Sequence, residues 1–108
     1  MINNQQISLI TNFIIKAINP LEIVLFGSYA RNTANEQSDL DIFIMLENEP
    51  QRSEKKQILK DIRLKLFDIG YPVDIIINSK ERYEKFKKYV GTIFYDINKE
   101  GVVLWTRQ

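Results

Sequence analysis

An α/β (α+β) fold, with a small mixed β-sheet of three to four strands flanked by helices, is predicted by three features of the 108-residue sequence. Apolar residues recur at spacings of three and four in separate stretches, the signature of amphipathic helices. Between and after these stretches lie short runs with the composition of strands. The order strand, helix, strand over residues 39–78 calls for a crossover connection, which sets the second strand beside the first.

Each element has its own justification. Ile7, Ile10, Phe13, Ile14, Ala17 and Ile18 form one face of a helix over residues 3–18, which ends before Asn19-Pro20. Residues 21–26 are nearly continuous apolar, as in a strand covered on both faces, and they run into Gly27-Ser28 and a short helical turn with Tyr29, Ala30 and Arg31. A loop then delivers a strand over residues 39–46. After a polar break, Ile58, Leu59, Ile62, Leu66 and Ile69 define a helix over residues 52–69, with Gly70 as its stop and Pro72 just beyond. Residues 71–77, from Tyr71 through Asp74 to Ile77, carry the next strand on to Asn78. Ser79 can cap a helix bearing Tyr83, Phe86, Tyr89 and Val90, which Gly91 interrupts; Ile93, Phe94 and Ile97 continue it towards Gly101 and an edge strand over residues 102–105. Tyr83, Tyr89, Tyr95 and Trp105 are read as core in preference to a partner face. With no repeat or linker in view, residues 1–108 are expected to form a single domain.

Residues 27–44 are the stretch built for chemistry. A strand, a glycine turn and a helix start point backbone N–H groups outward, which suits a phosphate. With Ser28 as N-cap, Arg31 falls at the third helical position, where a cation opposes the helix dipole by roughly 0.3–1 kcal/mol. An anion between Ser28 and Arg31 reverses that sign. Asp39 and Asp41, two apart on a strand, share one face, while Leu40, Ile42 and Ile44 take the other. Two readings of the pair stand side by side. It is either a polar strand start in which Ser38 and Asp39 cap a turn, or a pair of oxygen ligands for a divalent cation, since Mg²⁺ is held by one or two carboxylates plus substrate phosphates.

Gly27-Ser28, Arg31 and Ser38-Asp39-Leu40-Asp41 resemble the signature of the minimal nucleotidyltransferases of the DNA polymerase beta-like superfamily. The resemblance covers roughly residues 7–105, with Asn32 standing where many relatives have glycine. It implies the polymerase beta-like nucleotidyltransferase fold and a third carboxylate on a later strand, where Asp74 stands. It further implies a catalytic and metal-binding set of Asp39, Asp41 and Asp74, nucleotide binding by Gly27, Ser28, Arg31 and Ser38, two Mg²⁺ ions, and ATP as substrate. Stand-alone members pair with a separate helical HEPN protein. The resemblance therefore implies an antitoxin that transfers AMP to a tyrosine of a HEPN toxin. Neutralisation of the partner by contact alone, and nucleotidyl transfer to a small molecule, are the alternatives.

Composition narrows the field independently. The chain has no Cys and no His, which removes thiol nucleophiles, Ser-His-Asp triads and the usual zinc sites. Fifteen basic against fourteen acidic residues give a net charge of +1, so no global field calls for nucleic acid or an anionic membrane. With neither a signal peptide nor a membrane-length apolar run, a cytoplasmic protein is expected. Basic clusters at residues 52–65 and 80–88 read as solvated helix faces, with docking of an acidic partner or RNA as the functional alternative.

Overall fold

The computed structural model describes residues 1–70 and 72–108; Tyr71, predicted to open the third strand, lies outside the described residues. Helix α1 (Asn4–Ile18) begins at a capping box in which Asn3 Oδ1 accepts from Gln6 N–H and Gln6 Oε1 accepts from Asn3 N–H. It ends at Asn19, whose left-handed backbone (φ 46°) closes the helix before Pro20. Strand β1 (Glu22–Phe26) runs straight into the single turn α2 (Gly27–Ala30), and β2 (Leu40–Leu46) comes after the loop. Helix α3 (Arg52–Leu66) continues through a 3₁₀ turn, Phe67–Ile69, to Gly70 at φ 76°, the stop expected there. Then come β3 (Val73–Ser79), α4 (Lys80–Phe86), α5 (Ile93–Glu100) and β4 (Val102–Thr106).

The four strands lie in the order β3-β2-β1-β4. β1 pairs antiparallel with both β2 and β4, whereas β2 and β3 are parallel, as the α3 crossover requires. The sheet is therefore mixed. Alternation along the strands sends Ile23, Leu25, Leu40, Ile42, Ile44, Ile75 and Ile77 to one face, against α1 and α3. Val24, Phe26, Phe43 and Met45 occupy the other, against Phe94 and Ile97 of α5, with Tyr83 and Phe86 of α4 at the margin.

The helix predicted to continue to Val90 stops at Phe86. Gly91 takes φ 95°, and the Thr92 hydroxyl donates to the carbonyls of Phe86 and Tyr89, so the chain turns through a polar-capped loop instead. Val90 is 80% exposed, having no core to enter. Of the aromatics read as core, Tyr83 packs on Phe43 with ring centroids 5.3 Å apart and Trp105 lies against the first core face, but Tyr89 is half exposed. Among the described residues, no helix is long and apolar enough to cross a membrane.

Candidate active site

Pairing register brings two distant parts of the sequence together. Asp41 of β2 lies directly opposite Asp74 of β3 on one side and Phe26 of β1 on the other. Asp39, in the loop just before β2, completes the group. All three sit at the end of the sheet where β2 and β3 begin and β1 finishes. The crossover expected from strand, helix, strand has this consequence, and without it Asp74 would have no reason to approach the other two.

Their proximity has electrostatic consequences. Partial burial, then the charges of Asp74 and Asp39, raise the Asp41 carboxyl to about 6; Arg31 works in the opposite direction. Partial burial, the Asp39 charge and a hydrogen bond with Asp39 also raise Asp74, while Arg63 lowers it. Three carboxylates thus crowd one another without enough cationic charge to offset them. Among the described residues no set of three or more acidic side chains is already gathered as a metal cage. The donor chemistry nevertheless suits a hard divalent cation, because an excess of carboxylate oxygen is what such an ion takes and what it would relieve.

Gly27 is required twice over. Its backbone lies at φ 74°, and a Cβ built on it would stand 2.1 Å from Asp41 Oδ2. The glycine therefore lets the turn close against the carboxylate. The turn differs in one respect from the sequence reading: the N-cap is Phe26, with no side-chain cap, and Ser28 lies inside α2. Arg31 is consequently the C-cap of this helix and not its third residue. A cation at a C-terminus is favoured by the dipole, so the predicted penalty does not arise. An anion does sit beside Arg31, but the chain supplies it. Arg31 Nη1 donates to Glu100 Oε2 at 2.8 Å and to Oε1 at 3.0 Å, and Gly27 N–H donates to the same Oε1 at 3.2 Å. Glu100 escaped the sequence reading because nothing local marks a partner 69 residues away.

Ser28 is half-buried, and its carbonyl accepts from Thr33 N–H at 2.9 Å, which closes the turn. Asn32 adopts φ 61°, the conformation for which glycine would otherwise be used. Ser38 is committed locally: its hydroxyl oxygen accepts from Asn35 N–H at 2.8 Å. The structure thus brings Asp39, Asp41, Asp74, Gly27 and Arg31 into one neighbourhood, while the Ser38 hydroxyl belongs to the loop that delivers Asp39.

A mixed sheet with a glycine turn abutting paired carboxylates is the frame of the site, and comparison with known proteins supplies its class. The model of the nucleotidyltransferase domain family matches residues 7–98, and the chain belongs to that family. It is similar to a protein of Methanocaldococcus jannaschii named protein adenylyltransferase MJ0141, with 45% identity over 74 residues, 68% of this chain and 67% of that protein. A second protein of that organism, named protein adenylyltransferase MJ1305, is 43% identical over 56 residues, 51% of this chain. The chain spans only 37% of the length of MJ1305. Among solved structures, the fold is shared with a Shewanella oneidensis complex of a tri-AMPylated HEPN toxin with its MNT antitoxin. The match has a TM-score of 0.57 at 20% identity and covers 94% of this chain and 73% of that one.

Proposed function

We propose that residues 1–108 act as one Mg²⁺-dependent nucleotidyltransferase domain that moves AMP from ATP to a hydroxyl acceptor. The acceptor in this reading is a tyrosine of a HEPN-type helical partner, which the modification silences, making the chain an antitoxin. The observation that carries the proposal is the Asp41–Asp74 register pair with Asp39 beside it, set against a turn that only glycine can make. Support for the transferred group comes from the relatives named protein adenylyltransferases, and for the partner from the AMPylated HEPN toxin in the complex that shares the fold.

In this reading Asp39, Asp41 and Asp74 hold two Mg²⁺ ions. When bound, these supply Lewis-acid stabilisation of the triphosphate and acidification of the acceptor hydroxyl. The chain's own residues position and balance charge. Ser28 and the α2 turn receive the terminal phosphates, and Arg31 offsets their charge. Gly27 keeps the turn against Asp41. The acceptor oxygen bonds to the α-phosphorus as the α–β bridge breaks; pyrophosphate leaves with the bonding electron pair, and the hydroxyl proton passes to water. Catalysis of this kind is mainly positioning plus electrostatics.

A second reading is neutralisation of the partner by contact with the site idle; Arg31, the cation that would meet the phosphates, is already paired with Glu100. Asp74→Asn separates the two. Under the enzymatic reading it leaves ATP binding through Asp39, Asp41 and Ser28 largely intact, yet slows transfer by roughly 10³-fold, because an interaction made mainly in the transition state has been removed. The assay tracks label from α-³²P ATP to the co-expressed partner and, in parallel, rescue of growth. No labelled partner with wild type, together with full rescue by Asp74→Asn, would leave only the contact reading.

A further inference from the structure

The partner of Arg31 lies outside every motif of the sequence. Glu100 is the last residue of α5, and Gly101, next to it, fixes its backbone tightly. A Cβ on Gly101 would stand 2.4 Å from the Ile97 carbonyl oxygen and 2.6 Å from Val24 Cγ1, so α5 ends pressed against β1. From that anchored point one carboxylate reaches both ends of α2, accepting from Gly27 N–H at 3.2 Å and from Arg31 Nη1 at 2.8 and 3.0 Å. Gly27 in turn abuts Asp41. Core packing under α5 is thereby coupled, through one side chain, to the turn and to the carboxylate group.

The pattern of donors matters. Both Glu100 contacts use Nη1, and among the described residues no hydrogen bond engages Nε or Nη2 of Arg31. A long side chain that is half exposed has thus lost much of its rotamer freedom before any ligand arrives, and it keeps two donor positions for an anion. We infer that Glu100 is a positioning residue of the proposed nucleotidyl-transfer site: it orders Arg31 and the Gly27 turn for a triphosphate. This role rests on the nucleotidyl-transfer reading of the site. A carboxylate near a phosphate also repels it, but the Arg31 guanidinium, half exposed, stands beside that carboxylate at 2.8 Å and offsets its charge. Order prevails over repulsion here because Glu100 is itself neutralised by Arg31.

The test is a double-mutant cycle with Mg²⁺ and ATP, read by calorimetry on the full chain. Glu100→Ala should weaken binding roughly tenfold, Arg31→Ala at least as much, and the double variant by clearly less than the product of the two, since Glu100 acts largely through Arg31. A purely structural Glu100 would lower the melting temperature without this non-additivity. If Glu100→Ala does not fold, Glu100→Gln, which retains an acceptor for Gly27 N–H, should give the same order of effects at smaller size. Equal or tighter binding by the folded Glu100 variant would overturn the inference and make the carboxylate a rival of the phosphate; multiplying effects in the double variant would also overturn it. Wild type that shows no binding dependent on Asp39 and Asp41 would instead remove the nucleotidyl-transfer reading itself, and this inference with it.

Discussion

β2 and β3 run side by side in parallel, and their two ends handle polar groups in opposite ways. At the far end Ser79 has partners for both its N–H and its hydroxyl. Ser79 is buried, its N–H donates to Glu49 Oε2 at 3.0 Å, and its hydroxyl oxygen accepts from Arg82 N–H at 3.1 Å to cap α4. At the near end Asp39, Asp41 and Asp74 lie together, and partial burial, then the charges of Asp74 and Asp39, raise Asp41 to about 6. The same pair of strands thus stabilises the fold at one end and holds electrostatic strain at the other. On the proposed reading, the strained end is the one where function is set over stability.

The sharpest way to break this contrast is to remove the charges. Asp39→Asn with Asp41→Asn should weaken binding of Mg²⁺ and ATP by roughly 100-fold or more, because neutral amides replace the ligands and charge-assisted contacts are the strong ones. The apo protein should at the same time melt higher, since like-charge repulsion has gone. Calorimetry and thermal melts of one preparation check both signs; an apo protein that melts lower would mean that the carboxylates stabilise the fold.

Gly27→Ala should come next in size. It forces a side chain into φ 74° and into the Asp41 carboxylate 2.1 Å away, so a loss of roughly 1–3 kcal/mol from backbone strain is expected before the clash is counted. Chemical denaturation measures it, and a neutral result would show that the turn can relax away from Asp41. The smallest effect belongs to the satisfied end: Ser79→Ala removes a helix cap, costing about 1 kcal/mol, with nucleotide affinity unchanged. Weakened nucleotide binding in that variant would mean that the two ends are not independent.

Much of this was legible in the sequence. Periodicity placed α1 and α3, apolar and strand-like runs placed the four strands, Gly70 stopped α3 as expected, Ser79 capped α4, and Asn32 took the left-handed turn. Asp74 could be joined to Asp39 and Asp41 because a strand, helix, strand order has one common solution. What escaped was set by contacts between distant residues. Gly27 belongs to α2, where the turn packs on Asp41, so the helix starts two residues earlier than the Ser28 cap implied. Glu100 is an ordinary helix-end acid until the fold carries it to Arg31. Likewise α4 ends at Phe86 because Thr92 ties off the loop, a bond that helical periodicity does not encode.

On the proposed reading, the crowded carboxylates receive a divalent cation with a triphosphate. An acid whose folded pKa lies above its unfolded value makes stability fall as pH rises between the two, here from near 4 to about 6 for Asp41, with the full penalty present above that window. A cation at the site should reverse this by favouring the ionised form. The direct measurement is a carboxyl-carbon NMR titration of Asp41 with and without saturating Mg²⁺ and ATP. The predicted result is a midpoint near 6 in the apo protein that falls below the ordinary aspartate value, about 3.9, in the complex. A midpoint that stays near 6 with ligand present would contradict the claim.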